Sequence, residues 1–197
     1  MNYTRRPKVG LLTRGAALAL ALLLVQWPDA AAAEGRSVFI HLKTGITQDD
    51  NQMCVAFNIA QAAVEAGDDV EMFFDASALF DLQNMPTQGD ATTQPATKPD
   101  TVDMRPYNLR YELPDKLKKI LSEQFGTPVD ELPADYSGYL QMLKEKGATI
   151  TYNGALAHLV SLANSVKGGE SITDIADPLG LAEIVEHRAQ ADVYFVY

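Results

Sequence analysis

Two apolar patterns alternate along this chain: short unbroken runs, and stripes spaced three and four residues apart. Val38-Phe39-Ile40-His41-Leu42 is such a run and predicts a first strand buried on both faces. A loop, Lys43 to Gln48, follows. Asp49-Asp50 then caps a helix that reaches about Ala66 and is closed by Gly67. Val55, Ala56, Ile59, Ala60 and Ala63 form one stripe of that helix, the face expected to meet the core. Asp69 to Phe74 predicts a second strand, so the opening reads as a βαβ unit with a right-handed crossover.

The rhythm stops at Asn84. The stretch NMPTQGDATTQPATKPDTVDM has no apolar period and is rich in Thr, Pro, Gln and Asp, which predicts a long loop or disordered insertion, at about 84–112. Leu113-Pro114-Asp115 opens a helix whose Leu117, Ile120, Leu121 and Phe125 share a face, and a second helix carries Tyr139, Leu140 and Leu143 and ends at Gly147. Ala148 to Tyr152 is a third strand and Ala155 to Val166 a helix. Ser171 to Ile175 is a short fourth strand or extended connection, Leu181 to Ala189 a helix, and Asp192 to Tyr197 a closing strand. Strands alternating with helices predict an α/β fold, a three-layer α/β/α sandwich around a mostly parallel sheet of about five strands.

The first 33 residues stand outside this pattern. Arg5, Arg6, Lys8 and Arg14 precede an apolar stretch from about Gly15 to Val25, and Ala31-Ala32-Ala33 follows, which is the layout of a cleaved signal peptide. The apolar stretch is too short to span a bilayer. Thr4-Arg5-Arg6 hints at twin-arginine export, but Pro7 and Lys8 stand where such signals place apolar residues. The expectation is a single domain at 34–197 in a periplasmic or secreted protein, with no membrane contact after cleavage.

Without residues 1–33, which hold four of the 16 basic and one of the 26 acidic residues, the remaining 164 residues carry a formal charge of −13. No basic run survives to form a nucleic-acid footprint. Cys54 is the single cysteine, so an intrachain disulfide, a Cys-x-x-Cys redox pair and a cysteine-rich metal site are excluded. His41, His158 and His187 show no metal-ligand spacing. No metal or cofactor is expected.

Candidate chemistry lies at strand ends, because ligands of open α/β sheets settle beyond the carboxyl ends of strands. Lys43 and Asp75 follow the first two strands and Tyr152-Asn153-Gly154 the third; His158 lies in the first turns of the next helix. Lys43, with Thr44 and Gly45 beside it, suits an anionic group, the loop adding backbone N–H donors. Each of these also has a plain structural use: a lysine at a strand end, a carboxylate or amide capping a helix, a histidine packed alone. Cys54, one turn into the first helix with Asp50, Asn58, Gln61 and Glu65 on its side, is either a reactive or sulfur-bearing thiol or a surface residue against a partner copy. Tyr107, Tyr111, Tyr136 and Tyr139 either line a lid or cover apolar helix faces.

SVFIHLKTG followed by DDNQMCVAFNIAQAAVEAGDDVEMFFD resembles the opening of the DsrE/DsrF-like sulfurtransferase family, and the tail fits too, through the segment at 146–164, the stretch near 172–175, the helix at 181–188 and the aromatic final strand. The resemblance covers roughly residues 37–82 and 138–197. It implies an α/β/α sandwich, homo-oligomers, sulfur-relay or small-molecule partners, and a persulfide cysteine just after the third strand. In this chain that place holds Tyr152-Asn153-Gly154, and neither Tyr nor Asn supplies the thiolate a persulfide needs. The resemblance therefore implies a binding or accessory protein linked to sulfur metabolism; sulfur chemistry at Cys54, or small-molecule catalysis in the strand-end crevice, are the alternatives.

Overall fold

The computed structural model describes residues 35–84, 106 and 108–197. The expected signal segment, Tyr107 and most of the 84–112 insertion lie outside the described residues, and the architecture is that of the unit Glu34–Tyr197. Five strands form one sheet, β1 (Ser37–Leu42), β2 (Asp69–Phe74), β3 (Thr149–Asn153), β4 (Asp177–Leu179) and β5 (Val193–Val196), in the order β4-β3-β2-β1-β5 with every neighbouring pair parallel. The helices are α1 (Asp50–Glu65), α2 (Asp115–Phe125), α3 (Tyr136–Glu145), α4 (Gly154–Leu159) and α5 (Leu181–Gln190). A 3₁₀ helix, Ala76–Leu82, follows β2 directly.

Alternation along the strands divides the sheet into two unlike faces. Val38, Ile40 and Leu42 of β1, Val70, Met72 and Phe74 of β2, and Ile150 and Tyr152 of β3 join the large core, with Met53, Phe57 and Ala60 of α1 and Tyr139, Leu140 and Leu143 of α3. The opposite face puts Phe39 and Phe73 against Leu179, with Ile184 of α5 and Tyr194 packed beside them. Helix α5 has no fully buried residue. The sandwich is therefore lopsided: one face holds a deep apolar core, the other a thin apolar patch with polar groups around it.

The stripe expected on α1 is turned. Val55 is 45% exposed, whereas Met53, Ala56, Phe57, Ala60 and Gln61 are buried. The cause is Tyr139 of α3, whose hydroxyl donates to Gln61 Oε1 at 2.5 Å, while Tyr136 and Tyr139 both pack edge-on against Phe57. The phenol satisfies the amide oxygen, whereas Gln61 Nε2 has no hydrogen-bond partner among the described residues, so it is the aromatic contacts that set the rotation.

Of the two alternatives for Ser171–Ile175 the extended connection holds: it makes one isolated antiparallel bridge, Ile172 to Gln83, and the fourth strand is the three-residue Asp177–Leu179. Pro178 is tolerated there because β4 is a sheet edge, where a missing N–H faces outward. The helix predicted over Ala155–Val166 stops at Leu159, because Ser161 turns left-handed at φ 63° and the chain loops back. That return explains Gly154: a Cβ there would lie 2.0 Å from the Val166 carbonyl oxygen, far inside contact distance. Gly154→Ala is expected to lower the unfolding free energy by about 1–3 kcal/mol through overpacking, measured by urea denaturation.

Candidate functional site

The strand order turns at β1, with β2, β3 and β4 on one side and β5 on the other. That turn is where open α/β sheets form their ligand crevice. A hydrogen-bonded chain of side chains occupies the carboxyl ends of the strands here. Tyr194 Oη lies 2.8 Å from His41 Nδ1, and His41 Nε2 lies 3.2 Å from Asp75 Oδ2. Asn153 Nδ2 donates to Asp75 Oδ1 at 3.0 Å. The tautomer that satisfies both ends carries the proton on Nε2, so that Tyr194 donates to His41 and His41 donates to Asp75.

Each member is placed by the local fold. His41 and Tyr194 are on adjacent strands, His41 opposite Val196, and Phe73 lies 5.0 Å from the imidazole. Tyr194 stacks on Phe39 at 5.9 Å, and the Arg188 guanidinium sits 4.5 Å above its ring. Asp75 follows β2 and caps the 3₁₀ helix by accepting from Ala76 N at 2.7 Å, which holds Ala76 at a left-handed φ of 47°. Asn153 ends β3, and its Oδ1 caps α4 by accepting from Leu156 N at 2.9 Å. The hydrogen bond from His41 holds the Asp75 carboxyl down at about 2, against burial, with Ala76 and Asn153 adding to the effect.

A second pair lies on the same face. His187 of α5 meets Glu71 Oε2 at 2.9 Å, and Thr151 Oγ1 donates to Glu71 Oε1 at 2.6 Å. The contact between α5 and the sheet is thus partly polar.

Of the residues the sequence points to, Asp75 and Asn153 are brought together. Lys43 is exposed and its ammonium has no hydrogen bond or ion pair among the described residues. The loop donors expected beside it are already used: Lys43 N and Thr44 N bond the Tyr197 carbonyl, Gly45 N the Ser77 hydroxyl, and Ile46 N the Asp81 carboxylate. That loop is a brace for the end of β5 and not an anion cradle. His158 is exposed at the end of α4 and its Nδ1 meets the Ala163 carbonyl at 3.1 Å, away from the Asp75 cluster. Tyr152 donates to the Gly168 carbonyl at 2.6 Å and is pushed up to about 12, chiefly by burial.

Cys54 belongs to the other layer. It is half-buried against the large core, receives a hydrogen bond from Asn58 Nδ2 at 3.6 Å, and faces the Tyr136 hydroxyl, whose pKa is raised by burial first and by the thiol second. Tyr136 also borders a pocket of about 310 Å³ with Ile46, Gln48, Asp50 and Tyr111. Tyr136 and Tyr139 are packing residues, and Tyr111 is exposed.

No family model matches the chain. No curated protein matches it either. It is similar to the crystal structure of the YchN protein from E. coli, at 11% identity and a TM-score of 0.47, over 82% of this chain and 99% of that one. No residue role passes from that protein to this chain.

His41, Tyr194 and Asp81 are missed by sequence reasoning. His41 is one polar residue in an apolar strand, a weak but present signal; Tyr194 becomes its partner only once β5 is laid beside β1. Asp81 is 1% exposed, accepts from Ile46 N at 2.8 Å and is raised to about 7, mainly by burial. Its signal is an acid set between Phe80 and Leu82.

The two carboxyls give opposite pH dependences. Asp75, lowered from 3.8 to about 2, contributes stability above about pH 4 that drains away as the pH falls toward 2, so Asp75→Asn is expected to remove that acid limb from a plot of unfolding midpoint against pH. Asp81, raised from 3.8 to about 7, binds a proton more tightly when folded, so stability falls as the pH rises through that window. Asp81→Asn keeps an acceptor for Ile46 N and is expected to stabilise by ~2 kcal/mol at pH 8 and little at pH 4, in urea titrations at both values.

Proposed function

We propose that this protein is an exported, self-associating binding or accessory module of the DsrE/DsrF-like kind, working beside sulfur-handling proteins without carrying sulfur at its own strand-end crevice. The observation that carries this reading is the state of Asn153. Its amide is committed on one side to the α4 cap and on the other to Asp75. Where the family resemblance implies a sulfur carrier, this chain has a bracing residue. Tyr152 and Gly154, its neighbours, are equally committed to the loop that returns under α4.

What the crevice offers instead is a row of hydrogen-bonding groups: phenol, imidazole, carboxylate and amide. Such a row suits a polar small molecule. Self-association is supported by the outer side of α5, where Leu181 and Val185, one turn apart, are 65% and 69% exposed.

A second reading has a specific observation in its favour. Cys54, flanked by Asn58 and Tyr136 and next to the pocket that Tyr136 borders, is the thiol at which sulfur would be carried if this protein carries it. Incubation of the mature chain with thiosulfate or polysulfide, followed by intact-mass measurement, separates the two. The first reading expects an unmodified protein. A gain of one sulfur atom that disappears in Cys54→Ser establishes the second. Sedimentation velocity of the same preparation is expected to give an oligomer that a Leu181→Glu/Val185→Glu double variant shifts toward monomer.

A further inference from the structure

We propose that Tyr194, His41 and Asp75 form an acyl-transfer site for small uncharged esters or thioesters, in which the Tyr194 hydroxyl is the nucleophile, His41 its base and Asp75 the group that orients the base. The inference deepens the reading of the crevice as a small-molecule site and rests on it.

The geometry carries it. The Tyr194 oxygen lies 2.8 Å from His41 Nδ1, and the other imidazole nitrogen lies 3.2 Å from Asp75 Oδ2. A hydroxyl held on a base that is itself held by a carboxylate is the arrangement that activates a weak nucleophile. Asn153 Nδ2 and Ala76 N both donate to the second Asp75 oxygen, at 3.0 and 2.7 Å, which keeps the first oxygen facing the imidazole.

The two rings rest on an apolar floor. Phe39 stacks on Tyr194 at 5.9 Å, and Phe73 lies 5.0 Å from the imidazole. Those contacts hold both side chains in place and lower the local dielectric, which strengthens the bonds of the chain. Solvent still meets it: the His41 and Asp75 side chains are 14% and 23% exposed, and Tyr194 is partly exposed. Bracing accounts for Asp75 and Asn153, whose bonds cap helices. It does not account for His41 and Tyr194, because an apolar pair there would extend the patch of Phe39, Phe73 and Leu179 without desolvating a polar group.

Arg188 supplies the remaining requirement. Its guanidinium sits 4.5 Å from the centre of the Tyr194 ring and is exposed, with no hydrogen bond or ion pair among the described residues. Unspent N–H donors and a positive charge beside the nucleophile suit the oxyanion that develops when a carbonyl is attacked. An acyl donor is favoured over a phosphoryl donor, since the acidic chain repels polyanions.

In the first step the Tyr194 oxygen bonds to the carbonyl carbon, its proton passes to His41 Nδ1, and the carbonyl electron pair moves onto oxygen. The carbonyl then re-forms, the bond to the alcohol or thiol breaks, and that leaving group takes the proton from His41. Water repeats the sequence on the acyl-tyrosine: it gives a proton to His41, bonds to the acyl carbon and releases the acid, while the phenol recovers the proton. The sum is hydrolysis with no change in oxidation state. A phenol, with a pKa of about 10, leaves more readily than an aliphatic hydroxyl, which favours turnover.

The test mixes the mature chain with p-nitrophenyl acetate, follows p-nitrophenolate release, and maps acetyl groups by peptide mass spectrometry after an acid quench. Acetylation of Tyr194 is expected, with turnover. Tyr194→Phe, which keeps the ring contacts, and His41→Ala are each expected to lower the rate by about a hundredfold. Added imidazole is expected to restore much of the His41→Ala rate, which a bracing histidine would not allow. If His41→Ala does not fold, Tyr194→Phe and the acetyl map decide alone. The proposal is overturned if Tyr194 carries no acetyl group, if either folded variant keeps the unaltered chain's rate, or if imidazole leaves His41→Ala unchanged. Sulfur gained at Cys54 counts against the accessory reading and leaves this one standing, whereas an unacetylated Tyr194 does the reverse.

Discussion

Asp75 is the joint on which the carboxyl edge of the sheet depends. One carboxylate accepts from the imidazole of β1, from the amide that ends β3, and from the backbone N–H that starts the 3₁₀ helix after β2. Three connections that would otherwise diverge are tied at a single charged group. It also holds Ala76 in a left-handed conformation, which costs an alanine about 1 kcal/mol or more and persists only where the surroundings insist on it. The depressed pKa follows from the same geometry: a carboxylate with that many donors resists protonation.

The joint matters because the two faces of the sheet are held by different forces. On one side α1, α3 and α4 contribute to an apolar core in which Phe57, Tyr139, Met72 and Ile40 are fully buried. On the other side, among the described residues, α5 covers the thin patch of Phe39, Phe73 and Leu179 and leans on polar links: His187 to Glu71, and Arg188 over Tyr194. Hydrophobic burial is nondirectional and tolerates small shifts, whereas hydrogen bonds fix angles. The polar face is therefore where specific geometry collects, and where Tyr194, His41, Asp75 and Asn153 line up.

Much of the architecture is legible from the residues. The runs at 38–42, 69–74 and 193–196 are strands and the 3.6-residue stripes are helices, because period and length report burial directly. Boundaries fail where local signals are overruled. Ala155–Val166 has helical composition, yet Ser161 turns the chain back so that Val166 can lie against Gly154. Gln61 looks like a solvent-facing residue until Tyr139 arrives from a helix 78 positions away.

By itself the sequence determined the α/β class, the strand and helix order, the single thiol, and the absence of a cysteine after β3. These follow from composition and local periodicity, which need no knowledge of neighbours. Only the tertiary structure decided that Asn153 is a brace, that Lys43 and His158 stand apart from it, and that His41 and Tyr194 are partners. The pairing of His41 with Tyr194 joins residues 153 positions apart, and it exists because β5 is laid against the edge of β1 opposite β2. Strand order is a property of the whole chain's packing, and no local pattern encodes which two strand ends will meet.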